Sequence, residues 1–168
     1  FMGFVYLACQ IDSEKNFNGK FYTPYTECKK YLRKFKDKKV KVFFEPRCGA
    51  GAFMLAAAEI FGSKIRIIGN DIDSIAVKIV EFNMKWFAPA ADWVLSCEDF
   101  DASLLPPDSS ETLVATNPPW GSQAVRGTNY SDFSTQVVQR LFLKLNAASF
   151  CFVLPGSLFE VQKHSKFR

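Results

Sequence analysis

Short apolar runs bounded by breakers recur along this chain, separated by stretches whose apolar residues fall at helical spacing. Residues 40–44, 65–69, 93–96, 112–116 and 149–154 are rich in β-branched or aromatic side chains and read as buried strands. Residues 52–61 and 74–87 read as helices between them. So does 133–146, where Val137, Val138, Leu141, Phe142 and Leu145 recur on one face. A further helix is expected from residue 26 to about residue 35, ahead of the first strand. Alternation of this kind predicts an α/β fold, a doubly wound and mostly parallel sheet with helices on both faces. Such sheets bind ligands at the carboxyl ends of their strands, so the turns there are the places to look for chemistry.

Composition narrows the class. With 168 residues, 48% apolar and 23% charged, the chain suits one soluble globular domain. Eighteen Phe imply a large aromatic core, or an apolar surface covered by something else. Five cysteines, Cys9, Cys28, Cys48, Cys97 and Cys151, form no Cys-x-x-Cys, and the lone His164 completes no zinc set, so no metal is expected. Their odd number suggests reduced, intracellular thiols. No apolar run reaches the roughly 18 residues of a membrane span. The net charge of +4 is mild, but residues 29–41 hold eight Lys or Arg against one acid, Asp37. That strip is either a solvated face or a phosphate contact for nucleic acid, and charge alone does not choose.

The first strand leads into Glu45-Pro46-Arg47-Cys48-Gly49-Ala50-Gly51 and then a helix. Glycines at such a turn let the backbone pass close to a ligand. The dinucleotide fingerprint wants another Gly where this chain has Met54, which weakens a pyrophosphate reading. An acid followed by Gly-x-Gly suits a cofactor with an amino-acid moiety, such as S-adenosylmethionine; a purely structural turn is the alternative. Gly69-Asn70-Asp71-Ile72-Asp73 closes the second strand. Asp71 is placed to accept ribose hydroxyls with Ile72 beside it, and Asp73 suits a helix cap. After the third strand, Asp99 and Phe100 are candidates for the adenine end of that cofactor, although Glu98 and Asp99 could both be solvated.

The fourth strand runs into Asn117-Pro118-Pro119-Trp120. An isolated Asn-Pro-Pro is most often only a stiff turn; after a cofactor-type turn and a ribose acid it has a chemical use. An aromatic amine is a poor nucleophile because its lone pair is delocalised. The side-chain oxygen of Asn117 and the carbonyl of Pro118 can accept its two N–H bonds, favouring a pyramidal nitrogen aimed at a methyl sulfonium. Pro118 and Pro119 hold the acceptors stiffly, which is electrostatic preorganisation, and Trp120 can stack on the target ring.

Taken in order, Phe21-Tyr22-Thr23-Pro24, Glu45 to Gly51, Asp71, Asp99-Phe100 and Asn117 to Trp120 resemble the adenine-specific amino-methyltransferases of DNA. The resemblance implies a Rossmann-like class I methyltransferase sheet, incomplete at its C-terminal end. It implies S-adenosyl-L-methionine held by Thr23, Glu45, Gly49, Gly51, Asp71, Ile72, Asp99 and Phe100, with Thr23 at the methionine end. Catalysis would fall to Asn117, Pro118, Pro119 and Trp120. Residues 1–20 are then an N-terminal extension and 21–168 the catalytic domain, whose target-recognition region lies elsewhere, in a missing domain or a recognition subunit. The expected substrate is nucleic acid, DNA ahead of RNA. Ribosomal-RNA adenine and the glutamine of a release factor are the alternatives, and the Tyr-Thr-Pro segment argues against the latter. No membrane partner is expected, and the setting is intracellular.

Overall fold

The computed structural model describes residues 22–100, 103, 105–119, 133–154 and 156. Helix α1 spans Tyr25–Leu32 and tightens into a 3-10 turn at Arg33–Phe35. It begins where Pro24, with ψ 140°, cannot be helical, and the Pro24 carbonyl accepts from the amides of Glu27 and Cys28, both at 3.0 Å. Strand β1 (Val42–Glu45) leads to helix α2 (Ala52–Phe61), and strand β2 (Arg66–Asn70) to helix α3 (Ser74–Phe87). Strands β3 (Asp92–Ser96) and β4 (Thr112–Thr116), helix α4 (Phe133–Lys144) and strand β5 (Ser149–Phe152) complete the order.

The strands form one sheet in the order β3-β2-β1-β4-β5, every pairing parallel. The expected strands and helices are all present. Their differences are at the ends. β1 starts two residues later than the apolar run, and β5 stops at Phe152. The bounds of α2, α3 and β4 coincide with the sequence reading because each has a hard stop. Gly51 (φ 80°) and Gly62 (φ 77°) bracket α2, and the Asp73 carboxylate accepts from the amides of Ile75 (3.0 Å) and Ala76 (3.3 Å) to cap α3.

Alternate residues of each strand feed opposite faces, as the pleat requires. Phe43, Ile67 and Leu113 join Leu32, Phe53, Met54, Val80 and Met84 under α1, α2 and α3. Phe44 and Val114 turn the other way, to Phe100, Val137, Leu141 and Leu145 beneath α4. Fully burying each such side chain contributes about 1.5–3 kcal/mol. The heavy Phe content divides between core and surface. Phe43, Phe44, Phe53 and Phe100 are core, whereas Phe82, Phe87 and Phe142 are exposed.

The basic strip runs from α1 through the 3-10 turn to the entry of β1. Lys39 and Lys41 both pair with Glu111 (2.9 and 2.7 Å), Lys29 with Glu59 (3.2 Å) and Lys30 with Glu27 (3.5 Å). Four of its eight cations are thus held in exposed ion pairs, which add little to stability. Among the described residues no helix is long and apolar enough to cross a membrane.

Candidate active site at the carboxyl edge of the sheet

Strands β1 and β4 are neighbours, yet the helix after β1 packs on one face of the sheet and the helix after β4 on the other. Such a point of reversal is where open α/β sheets keep their ligand crevice. The glycine turn leaves β1 at this point, and Asn117-Pro118-Pro119 leaves β4.

The turn is tightly built. Gly49 and Gly51 hold φ of 49° and 80°, conformations that favour glycine. The Gly51 amide donates to the Cys48 carbonyl at 2.7 Å, and the Cys48 amide to the Asn70 carbonyl at 2.8 Å. Neither glycine has space for a side chain. A Cβ on Gly49 would lie 2.9 Å from the Tyr22 ring, and one on Gly51 2.9 Å from Val80.

Glu45, 3% exposed, sits beneath the turn. It is bonded to the backbone amide of Met54, in the first turn of α2, where Gly51 offers no capping side chain. Burial first, and then the negative charge of Asp71, push its carboxyl well above the usual range. Its Oε2 has no hydrogen-bond partner among the described residues.

At the tip of β2, Asp71 Oδ2 accepts from the Gly49 amide (2.8 Å) and Oδ1 from the Asp73 amide (3.0 Å). Asp71 therefore fastens the glycine turn as well as facing the edge. Each carboxylate oxygen can accept a second bond, so this leaves acceptor capacity for hydroxyls. Ile72 beside it is 54% exposed, an apolar side chain presented at the sheet edge. Asp99 is exposed, and its carbonyl accepts from the Ser103 amide. Phe100 is different: at 2% exposure it packs with Phe44, Val114 and Leu141, so its ring belongs to the core beneath the sheet.

Two expected site residues meet directly. The Asn117 amide nitrogen donates to the Thr23 hydroxyl at 3.0 Å, joining positions 94 apart in the chain. Pro118 is buried behind it and Pro119 partly so. Trp120 lies outside the described residues.

Sequence reasoning missed three contributors. Asn70, fully buried, donates to the carbonyls of Pro46 (3.3 Å) and Glu98 (3.1 Å). Its Oδ1 accepts from the Ser96 hydroxyl (2.7 Å) and the Glu98 amide (3.2 Å), so one side chain binds the ends of β1, β2 and β3 together. Asn83 on α3 donates to the Ala50 carbonyl at 3.0 Å, bracing the glycine turn from behind. The third is Tyr22, through its ring on Gly49. The available signal was polarity: a buried amide inside an apolar strand or helix face must have partners.

A cleft of about 700 Å³ opens between α1, α2 and the end of α3, walled by Tyr25, Leu55, Asn83 and Phe87. It touches the predicted set only at Thr23; Glu45, Gly49, Asp71 and Asp99 do not line it. Among the described residues no three His, Cys, Asp or Glu side chains cluster as a metal site, and Cys28, Cys48, Cys97 and Cys151 are unbridged.

A parallel sheet in this order, with a glycine turn after β1 and an acid after β2, has the fold of the class I S-adenosylmethionine-dependent methyltransferases. A Listeria monocytogenes structure described as a member of that class superposes with a TM-score of 0.71 at 17% identity, covering 96% of this chain and 54% of its own. The chain belongs to the N-6 DNA methylase family, whose model matches residues 5–157. The type II methyltransferase M.VspI of Vibrio sp. strain 343 is 29% identical over 120 residues, covering 71% of this chain and 29% of that protein. The methyltransferase subunit of a type I restriction-modification system from Streptococcus thermophilus superposes with a TM-score of 0.61 at 15% identity, over 83% of this chain and 35% of its own. The chain thus spans under a third of its curated relative and about half of the first structure.

Proposed function

We propose that this chain carries the cofactor and catalytic elements of an S-adenosylmethionine-dependent methyltransferase acting on the exocyclic amine of adenine in DNA. One observation carries the assignment: Asn117-Pro118-Pro119 leaves β4 beside the β1 glycine turn, at the reversal point of the sheet, with Asn117 bonded to Thr23. The family, described as N-6 DNA methylase, favours DNA over ribosomal RNA and over a release-factor glutamine.

The residues present suit the cofactor. Glu45 is a buried carboxyl with one oxygen unpartnered among the described residues, a fitting counterpart for an ammonium group, and the glycine turn above it excludes any Cβ. Asp71 would take the ribose hydroxyls with Ile72 against the nucleoside, Asp99 the adenine amine, and Thr23 the methionine end. Phe100 would support this region from the core. When bound, the cofactor supplies an electrophilic methyl group on a sulfonium. The Asn117 side-chain oxygen and the Pro118 carbonyl then accept the two N–H bonds of the target amine and turn its lone pair outward. The prolines fix both acceptors before substrate arrives, so little reorganisation is needed at the moment of transfer. Trp120 would stack on the target base, which in a duplex must first be flipped from its stack. Choice of target sequence would fall to a recognition domain or subunit.

The test is methyl transfer by the full-length protein to duplex DNA, with the modified atom identified by mass spectrometry. Asn117→Ala should abolish transfer while cofactor affinity by calorimetry stays close to wild type. Normal transfer by that variant, or methylation of an atom other than the adenine amine, overturns the proposal.

A further inference from the structure

The bond between Thr23 and Asn117 has a role distinct from holding a cofactor. A primary amide has two unlike ends. If the nitrogen end faces the target amine, donor meets donor and the catalytic acceptor is lost. In the structure the nitrogen end is committed to the Thr23 hydroxyl at 3.0 Å, which turns the Asn117 oxygen away from Thr23.

Thr23 is well placed to impose that choice because its own backbone is held from both sides. Before it, the Tyr22 ring lies so close to Gly49 that a Cβ there would come within 2.9 Å. After it, Pro24 opens α1 with its carbonyl bonded to two helix amides, and the Cys28 thiol approaches the Thr23 carbonyl at 3.9 Å. The dipeptide Tyr22-Thr23 therefore touches both turns of the crevice, the glycine turn through Tyr22 and the Asn-Pro-Pro turn through Thr23.

We infer that Thr23 is a positioning residue for the methyl-transfer step, orienting the Asn117 amide so that its oxygen faces the target amine. The inference rests on the proposed adenine amino-methyltransferase activity. It separates Thr23 from a plain cofactor contact, because the two roles fall on different kinetic constants.

The experiment uses the full-length protein and compares wild type, Thr23→Val and Thr23→Ser. Valine keeps the branched shape and removes the hydroxyl. Thr23→Val should lower kcat on duplex DNA, read at saturating cofactor, about tenfold or more, equivalent to ~1.4 kcal/mol, a larger factor than any loss in cofactor Kd by calorimetry from its contact with the methionine end. Retained cofactor binding also shows that the variant is folded. Thr23→Ser, which keeps the hydroxyl, should retain most of kcat. An unchanged kcat, an equal loss in Thr23→Ser, or a loss confined to cofactor Kd would each overturn the positioning role. A wild-type enzyme that transfers no methyl to adenine would instead remove the activity on which that role depends.

Discussion

Replacing Asn70 by Ala tests whether one side chain binds the cofactor edge together. The substitution deletes four hydrogen bonds, to the Pro46 carbonyl, the Glu98 carbonyl, the Ser96 hydroxyl and the Glu98 amide. Each such bond contributes a net of roughly 0.5–1.5 kcal/mol, and a buried partner left unmet costs more. Glu98 is exposed and Ser96 half-buried, so their groups can turn to water, whereas Pro46 is buried and its carbonyl cannot. The expected loss is therefore about 2–4 kcal/mol, a large part of the roughly 5–15 kcal/mol that holds a domain folded. Urea unfolding of the full-length protein, followed by tryptophan fluorescence, reads this as a shift in midpoint. Ser96→Ala, which removes only the 2.7 Å bond, serves as the scale and should cost about 1 kcal/mol. Cofactor affinity should fall with Asn70→Ala as well, because the three tethered strand ends carry Glu45, Asp71 and Asp99. If Asn70→Ala is no more destabilising than Ser96→Ala, the side chain does not bind those ends together.

Two further predictions follow from the turn and its acid. Gly51→Ala meets both a left-handed φ of 80° and a 2.9 Å contact with Val80, while Gly62→Ala meets a φ of 77° with no atom within 4 Å. The second should cost about 1–2 kcal/mol of strain and the first a further 1–3 kcal/mol or so of overpacking; equal midpoints for the two in thermal or urea unfolding would exclude the steric part. Glu45 keeps its proton in the native state at pH values where the unfolded chain has released it, because burial and Asp71 raise its pKa. The native state then binds more protons, so its stability contribution is greatest below the ordinary glutamate value of 4.5 and declines as pH rises through the raised native one. Glu45→Gln should flatten that decline in urea midpoints at pH values above 4.5, and an unaltered slope would show that the carboxyl titrates normally.

The centre of the sheet was legible in the sequence because β1 and β4 are buried on both faces and so appear as compact apolar runs, Thr112–Thr116 being the plainest. Helix bounds were legible wherever a glycine or a capping acid marked them. Strand ends were less so: Val153 and Leu154, just past β5, are as apolar as the residues inside it, and Val40 extends the β-branched run ahead of β1. At the site, the motif residues came from the order of turns along the chain. Their connections did not. That Asp71 fastens the Gly49 amide, that Thr23 reaches Asn117, and that Phe100 belongs to the core all depend on how turns far apart in sequence meet in space. Asn70 escaped notice for a related reason. Beside a conspicuous Asp, an Asn reads as loop polarity until burial shows that all its bonds must be internal.

The bonds from Asn70, Asp71 and Asn83 immobilise the rim of the crevice as the polypeptide folds. Ordering entropy at this rim is thus lost once, in acquiring the fold, and does not recur with each encounter. A nucleoside bound there, as proposed, would meet a fixed template, and its binding free energy would be left largely undiminished by loop closure on that side.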